Sequence, residues 1–97
     1  MRILFVTSEA FPLIKTGGLA DVSGSLPAAL KQVKIGKAKA DVRILIPAYP
    51  AVLEKLENQS QLTTISNLPN IGAVNIILGT MPETGVSVMA IQAPSLY

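Results

Sequence analysis

The 97-residue chain has room for one small domain and not for two, since domains commonly run to roughly 100–150 residues. Hydrophobic residues make up 49% and charged residues 14%, against about 25% charged in a typical soluble domain, so some apolar surface is expected to be covered by protein beyond these residues. A formal charge of +2 is too small for the basic stripe that nucleic acid demands, and the lack of cysteine and histidine removes disulfides, thiolate zinc sites, a cysteine nucleophile and the commonest general base.

The opening MRILFVTSEAF carries one arginine but neither a long apolar core nor a small-residue cleavage site, so it reads as a mature strand and makes the cytoplasm the default location. Arg2, Glu9, Lys15 and Asp21 interrupt the N-terminal region, which leaves no run near the roughly 18–20 apolar residues of a membrane helix. Arg2 to Thr7 is an almost continuous apolar run, the pattern of a parallel-sheet strand covered on both faces. The period then changes. Leu19, Val22, Leu26, Leu30 and Val33 fall three and four apart, which predicts a helix from about Gly18 to Val33 with that stripe on the core, bent but not ended at Pro27.

Val42 to Ile46 is a second strand, closed by Pro47, so the first half of the chain predicts a βαβ unit with parallel strands. Ala51 to Asn58 reads as a short amphipathic helix with Val52, Leu53 and Leu56 on one side. Leu62 to Ser66, Ala73 to Leu78 and Val86 to Ile91 read as strands, the last two joined by a hairpin turn at Glu83-Thr84-Gly85. An open α/β sheet needs helices on both faces, so a fold with these elements leaves one face and one edge uncovered.

The chemistry gathers in Ser8 to Pro27, SEAFPLIKTGGLADVSGSLP, where Lys15, Gly17 and Gly18 lie between the first strand and the first helix. Amides at a helix start and the helix macrodipole together attract an anion, and Lys15 adds a full positive charge. The motif is neither a P-loop, whose Lys follows the last Gly, nor GxGxxG. From the residues alone, two explanations of the glycines stand: an anion approaching bare backbone, or a turn that needs positive φ and close helix packing. Glu9, at the C-terminal end of the first strand, is a loop-bracing or solvated carboxylate rather than a general base. Thr16 is suited to capping the helix. The lysines of KQVKIGKAKA, Lys31, Lys34, Lys37 and Lys39, read as a solvated link at the C-terminal end of a helix, remote from the glycine turn.

SEAFPLIKTGGLADVSGSLPAAL followed by DVRILIPAYP resembles the N-terminus of bacterial glycogen synthases and the related starch synthases, which share KTGGLADV. The likeness is dense over the first fifty residues, and the closing APSLY resembles the point where the family's N-terminal domain continues. The resemblance implies an α/β fold, the first part of the N-terminal Rossmann-like domain of a GT-B glycosyltransferase over residues 1–97, with a parallel core and a C-terminal β-hairpin. It implies a retaining transfer of glucose from ADP-glucose to the non-reducing 4-hydroxyl of an α-1,4-glucan in glycogen biosynthesis, with no cofactor and no metal. Lys15 would contact the donor's phosphate, Gly17 and Gly18 would let the backbone approach the pyrophosphate and the sugar, and Asp21 would face the cleft near the glucosyl unit. Asp21 is also explained as an acid in the first turn of a helix.

Two features depart from the family. The link from Lys31 to Lys39 replaces a short Gly-His turn, and the C-terminal domain with its nucleoside site and carboxylates has no counterpart, nor does a cleft-facing histidine. The chain alone is therefore expected to be catalytically incompetent, with the remainder of a synthase as its partner. Two rivals use the same residues: a free-standing flavodoxin-like module binding a nucleotide or flavin, and a non-catalytic interaction segment.

Overall fold

A computed structural model describes residues 1–15, 17–36, 38–70 and 72–93. In chain order the elements are β1 (Arg2–Val6), α1 (Gly18–Lys31), β2 (Lys34–Ile35), β3 (Ala38–Lys39), β4 (Asp41–Pro47), α2 (Pro50–Lys55), β5 (Glu57–Leu68), β6 (Gly72–Thr80) and β7 (Ser87–Gln92). Five strands form one sheet in the order β1-β4-β7-β6-β5. β1 pairs parallel with β4, Phe5 opposite Ile44, and β4 parallel with β7, Ile44 opposite Val88. β6 then runs antiparallel to β7 and to β5, so the sheet is parallel at the βαβ end and a meander at the other.

Alternation along the strands puts Val42, Ile44, Ile46, Val88 and Ala90 on one face, each at most 7% exposed. Ala10, Leu13, Val52, Leu56, Met81 and Val86 join Ile44, Ile46, Val88 and Ala90 in one core, with Phe5, Ala28 and Ile77 packed against it. Both helices therefore cover the same face. α2 starts at Pro50, where a missing N–H costs nothing, and stops because Leu56 turns extended and Glu57 begins β5. This cuts the predicted helix short of Asn58 and lengthens the predicted strand at Leu62–Ser66 to twelve residues. The β6–β7 hairpin forms as expected: Met81 N–H donates to the Val86 carbonyl at 2.8 Å, with Glu83 and Gly85 at φ 70°.

Two burial expectations fail, each for a geometric reason. β1 is an edge strand, and its outward face is bare: Leu4 is 53% and Val6 68% exposed, whereas coverage on both faces was expected. The stripe Leu19, Val22, Leu26 and Val33 points outward as well, each 42–53% exposed. α1 instead buries Ala20, Ser23 and Pro27 and continues unbroken past the proline. At about 100° per residue this small-residue face lies about a third of a turn from the large apolar stripe. Gly24 explains the choice, because a Cβ there would collide with the carbonyl oxygen of Phe11. Only a face of small residues brings α1 that close.

The lysine-rich link is not a loop. Lys34–Ile35 and Ala38–Lys39 form a two-stranded antiparallel hairpin about Gly36, φ 64°, with Lys34 and Lys39 exposed and Lys31 in the last turn of α1. Lys37 lies outside the described residues, as do Thr16 and the four residues 94–97 that carry most of APSLY. The bare apolar surface predicts hydrophobic-dye binding and association at high concentration. A chain that stays monomeric and binds no dye would contradict the exposure of Leu4, Val6, Leu19 and Val22.

Candidate functional site at the glycine turn

The crossover from β1 to α1 is pinned at three places. Thr7 extends the pairing with β4 through its N–H to the Leu45 carbonyl at 3.0 Å. Its buried hydroxyl donates to the Glu9 carbonyl at 2.8 Å, accepts from the Glu9 N–H at 3.3 Å and lies 2.9 Å from Ser23 Oγ on α1. Phe11 N–H donates to the Ala20 carbonyl at 2.9 Å. Ala10 and Leu13, both fully buried, anchor the turn between them, whose Leu13 and Ile14 amides return to the Ala10 carbonyl. The chain then emerges at the rim with Lys15.

One amide at the start of α1, that of Ala20, is already taken. Gly17 is the N-cap residue and has no side chain, and the Glu9 carboxylate takes its place: Ala20 N–H donates to Glu9 Oε1 at 3.1 Å, shared with the Gly17 carbonyl at 3.3 Å. Glu9 is only 8% exposed. The loop-bracing role expected of Glu9 thus holds, and the expectation of unoccupied helix-start amides is corrected at Ala20. A carboxylate here satisfies an orphan donor and opposes the positive end of the macrodipole.

Lys15 and Asp21 meet each other. Lys15 Nζ donates to both Asp21 oxygens, at 2.8 and 2.9 Å, and stands 5.7 Å from the centroid of the Phe11 ring. Their side chains are 48% and 58% exposed, so the pair contributes roughly 0–1 kcal/mol and is readily exchanged for another partner. Asp21 sits in the first turn of α1, consistent with the simple helix-dipole explanation of an acid there.

The glycines separate into three groups. Gly36, Gly72 and Gly85 have positive φ, while Gly24 and Gly79 are crowded, Gly79 by the Leu56 side chain. Gly17 and Gly18 have neither reason. Gly17 is extended at φ −169°, with Glu9 Oε1 3.9 Å from a would-be Cβ, and a Cβ at Gly18 would meet nothing within 4 Å. Neither Gly17 nor Gly18 is therefore required by positive φ or by close packing. These two glycines leave empty space above the backbone, beside an exchangeable ammonium.

A cavity of about 250 Å³, lined by Ser8, Glu9, Ile14 and Tyr49, opens between the ends of β1 and β4. Sequence reading missed this association of Tyr49 with the first crossover, and it missed the Thr7–Ser23 link. The available signal was the spacing of Ala20, Ser23, Gly24, Pro27 and Ala28, small residues at helical intervals.

Parallel strands whose carboxyl ends meet a glycine turn leading into the crossover helix define an open α/β domain, and that corner is where such folds usually receive ligands. The chain belongs to the starch synthase catalytic domain family, whose model matches residues 2–97. It is similar to a glycogen synthase of Rhodospirillum rubrum, 42% identical over 97 residues, and to one of Thioalkalivibrio sulfidiphilus, 48% identical over 99. Each match takes in all of this chain and 19% of the relative, so the chain spans about a fifth of their length. Among solved structures it resembles the catalytic domain of starch synthase IV from Arabidopsis thaliana bound to ADP and acarbose, with a TM-score of 0.74 and 26% identity over 95% of this chain and 18% of that one. No helix among the described residues is long and apolar enough to cross a membrane.

Proposed function

We propose that residues 1–97 are the first part of the N-terminal Rossmann-like domain of a cytoplasmic glycogen synthase, a GT-B enzyme that transfers glucose from ADP-glucose to the 4-hydroxyl of an α-1,4-glucan. Lys15, Gly17, Gly18 and Asp21 form this chain's share of the ADP-glucose site. The observation that carries the reading is the pair of glycines that neither positive φ nor crowding demands, Gly17 and Gly18, in the same turn as the exposed Lys15–Asp21 pair. The glycogen synthase relatives and the ADP-bound starch synthase support it.

Breaking the bond between the anomeric carbon and the diphosphate builds negative charge on the leaving group. Lys15 is placed to meet that charge, exchanging Asp21 for a phosphate oxygen at little cost because the pair is solvated. Asp21, once released, is free to accept a hydrogen bond from a sugar hydroxyl. The Gly17 and Gly18 backbone lets the diphosphate approach without side-chain interference. The acceptor hydroxyl's activation and the nucleoside's binding fall to the rest of the synthase.

Titrating the ¹⁵N-labelled chain with ADP-glucose is expected to move the amides of Lys15, Gly17, Gly18 and Asp21 with a millimolar Kd, about −4 kcal/mol. The chain alone incorporates no glucose. Gly18→Ala keeps the fold, gains about 0.4–1 kcal/mol from the stiffer unfolded chain, and loses ADP-glucose affinity severalfold. Shifts clustered elsewhere, with the glycine turn unmoved, would sink the assignment.

A further inference from the structure

We infer that Thr7 is a positioning residue for the donor corner: its buried hydroxyl holds the first turns of α1 in the place from which Gly17, Gly18 and Asp21 meet ADP-glucose, without touching the donor itself. The inference rests on the ADP-glucose reading above and adds the residue that sets the geometry of that site.

Proton counting fixes the direction of each bond. A threonine hydroxyl has one hydrogen and two lone pairs. The hydrogen goes to the Glu9 carbonyl at 2.8 Å, so the lone pairs accept, one from the Glu9 N–H at 3.3 Å and one from Ser23 Oγ at 2.9 Å. Ser23 is therefore the donor across that contact. A serine inside a helix commonly turns back to the carbonyl four residues earlier, as Ser25 does to Asp21 at 2.9 Å. Ser23 gives its proton to the end of β1 instead.

These bonds close a circuit. The Thr7 hydroxyl holds the Glu9 backbone, the Glu9 side chain takes the Ala20 N–H at 3.1 Å, and α1 leads from Ala20 to Ser23 and back to Thr7. Thr7 ties the circuit to the sheet through its N–H to the Leu45 carbonyl. Ala20 and Ser23 stand about 4.5 Å apart along the helix axis, so bonds at both fix its tilt where one alone would leave a pivot. The apolar contacts of the Ala20 and Pro27 side chains are non-directional, whereas a hydrogen bond weakens steeply with angle. Gly17 is the N-cap of this helix and Asp21 lies between its two anchors, so a tilt moves both relative to Lys15 on the preceding turn. A misplacement of about 1 Å costs a positioned site on the order of a hundredfold in rate, which makes smaller shifts measurable.

The test is ADP-glucose titration and urea unfolding of the ¹⁵N-labelled chain carrying Thr7→Val, Thr7→Ser, or Thr7→Val together with Ser23→Ala. Thr7→Val keeps the shape and loses the hydroxyl; it should shift the Gly17 and Gly18 amides of the free chain and weaken ADP-glucose at least threefold. Thr7→Ser keeps the hydroxyl and should bind within twofold of the parent. The double variant removes the proton that Thr7→Val leaves stranded on Ser23, so it should be more stable than Thr7→Val alone yet stay at least threefold weaker than the parent. A hydroxyl that served stability alone would instead return affinity along with stability. Parental affinity in either valine variant, or a loss that persists in Thr7→Ser, overturns the inference. Should neither valine variant fold, Ser23→Ala, which leaves the Thr7 hydroxyl on the Glu9 carbonyl, is judged by the same threefold criterion. If ADP-glucose moves none of Lys15, Gly17 and Gly18 in the unmodified chain, the parent reading fails; if it moves them and the variants bind as tightly, this inference alone falls.

Discussion

Lys15→Ala is expected to lower ADP-glucose-dependent glucose incorporation at least tenfold in the full-length synthase that contains this segment, while changing fold stability by no more than about 1 kcal/mol. The two numbers come from different environments of one side chain. Without donor, the ammonium is half exposed and bound to an equally exposed Asp21, and screening makes that pair worth little. On the proposed reading, with donor bound it faces charge that develops on a leaving diphosphate. Removing a single preorganised donor from such a site commonly costs about 2.7–4 kcal/mol. Lys15 is flexible and partly solvated, so the lower bound is set at tenfold, about 1.4 kcal/mol. Because the charge is largest in the transition state, kcat should fall at least as much as KM rises. Lys15→Arg keeps the charge but replaces a compact ammonium with a planar fork, and partial recovery is expected. Steady-state kinetics beside urea unfolding checks both halves; equal turnover in the alanine variant would remove Lys15 from the site.

The βαβ order, the hairpin turn and the location of the corner were legible in the sequence because each rests on local chemistry. β-branched runs, the change of hydrophobic period at Gly18 and the Glu-Thr-Gly turn each act over a few residues. What was not legible depends on distance. The side of α1 that faces the core is decided by how closely the helix approaches, and that depends on Gly24 meeting the Phe11 carbonyl, thirteen positions away in sequence. A hydrophobic stripe reports where large apolar groups lie, and not what they pack against. Here the small face is buried by this chain and the large face is left bare.

The site divides along the same line. KTGGLADV carries its resemblance in consecutive residues, so Lys15, Gly17, Gly18 and Asp21 could be proposed without coordinates. Their mutual arrangement could not. The Lys15–Asp21 contact, the Glu9 carboxylate on Ala20 and the approach of Tyr49 to Glu9 each join residues at least six positions apart. The Ala20 amide looked free for an anion because the carboxylate that takes it comes from the loop after β1. Glu9 also shows why the glycine N-cap is tolerated: a carboxylate from the loop after β1, eleven residues before the Ala20 amide it accepts from, does the work of a capping side chain, an arrangement worth about 0.5–2 kcal/mol by comparison with ordinary caps.

Gly24→Ala is expected to destabilise the domain by about 1–3 kcal/mol or more, although a helical Gly→Ala change in open space stabilises by about 1 kcal/mol. Crowding decides the sign. The added Cβ would collide with the Phe11 carbonyl oxygen and come 3.3 Å from both the Phe11 carbonyl carbon and nitrogen, and all three are backbone atoms that cannot rotate away. Relief requires α1 to move off the 9–14 turn. That movement stretches the Phe11 N–H bond to the Ala20 carbonyl, the Thr7–Ser23 contact and the Glu9–Ala20 bond together. For a domain of this size each kcal/mol lost lowers Tm by roughly 4–8 °C, against a total stability of only about 5–15 kcal/mol. The same displacement shifts Asp21 and the glycine turn, so ADP-glucose affinity should fall along with stability. Gly18→Ala provides the contrast, since its Cβ meets nothing: it should lose affinity while Tm holds or rises. Urea unfolding and donor titration of the two variants side by side separate a glycine required by the fold from one reserved for a ligand. If Gly24→Ala were as stable as the parent, the close approach of α1 to the 9–14 turn would be wrong, and with it the reason for the outward-facing apolar stripe.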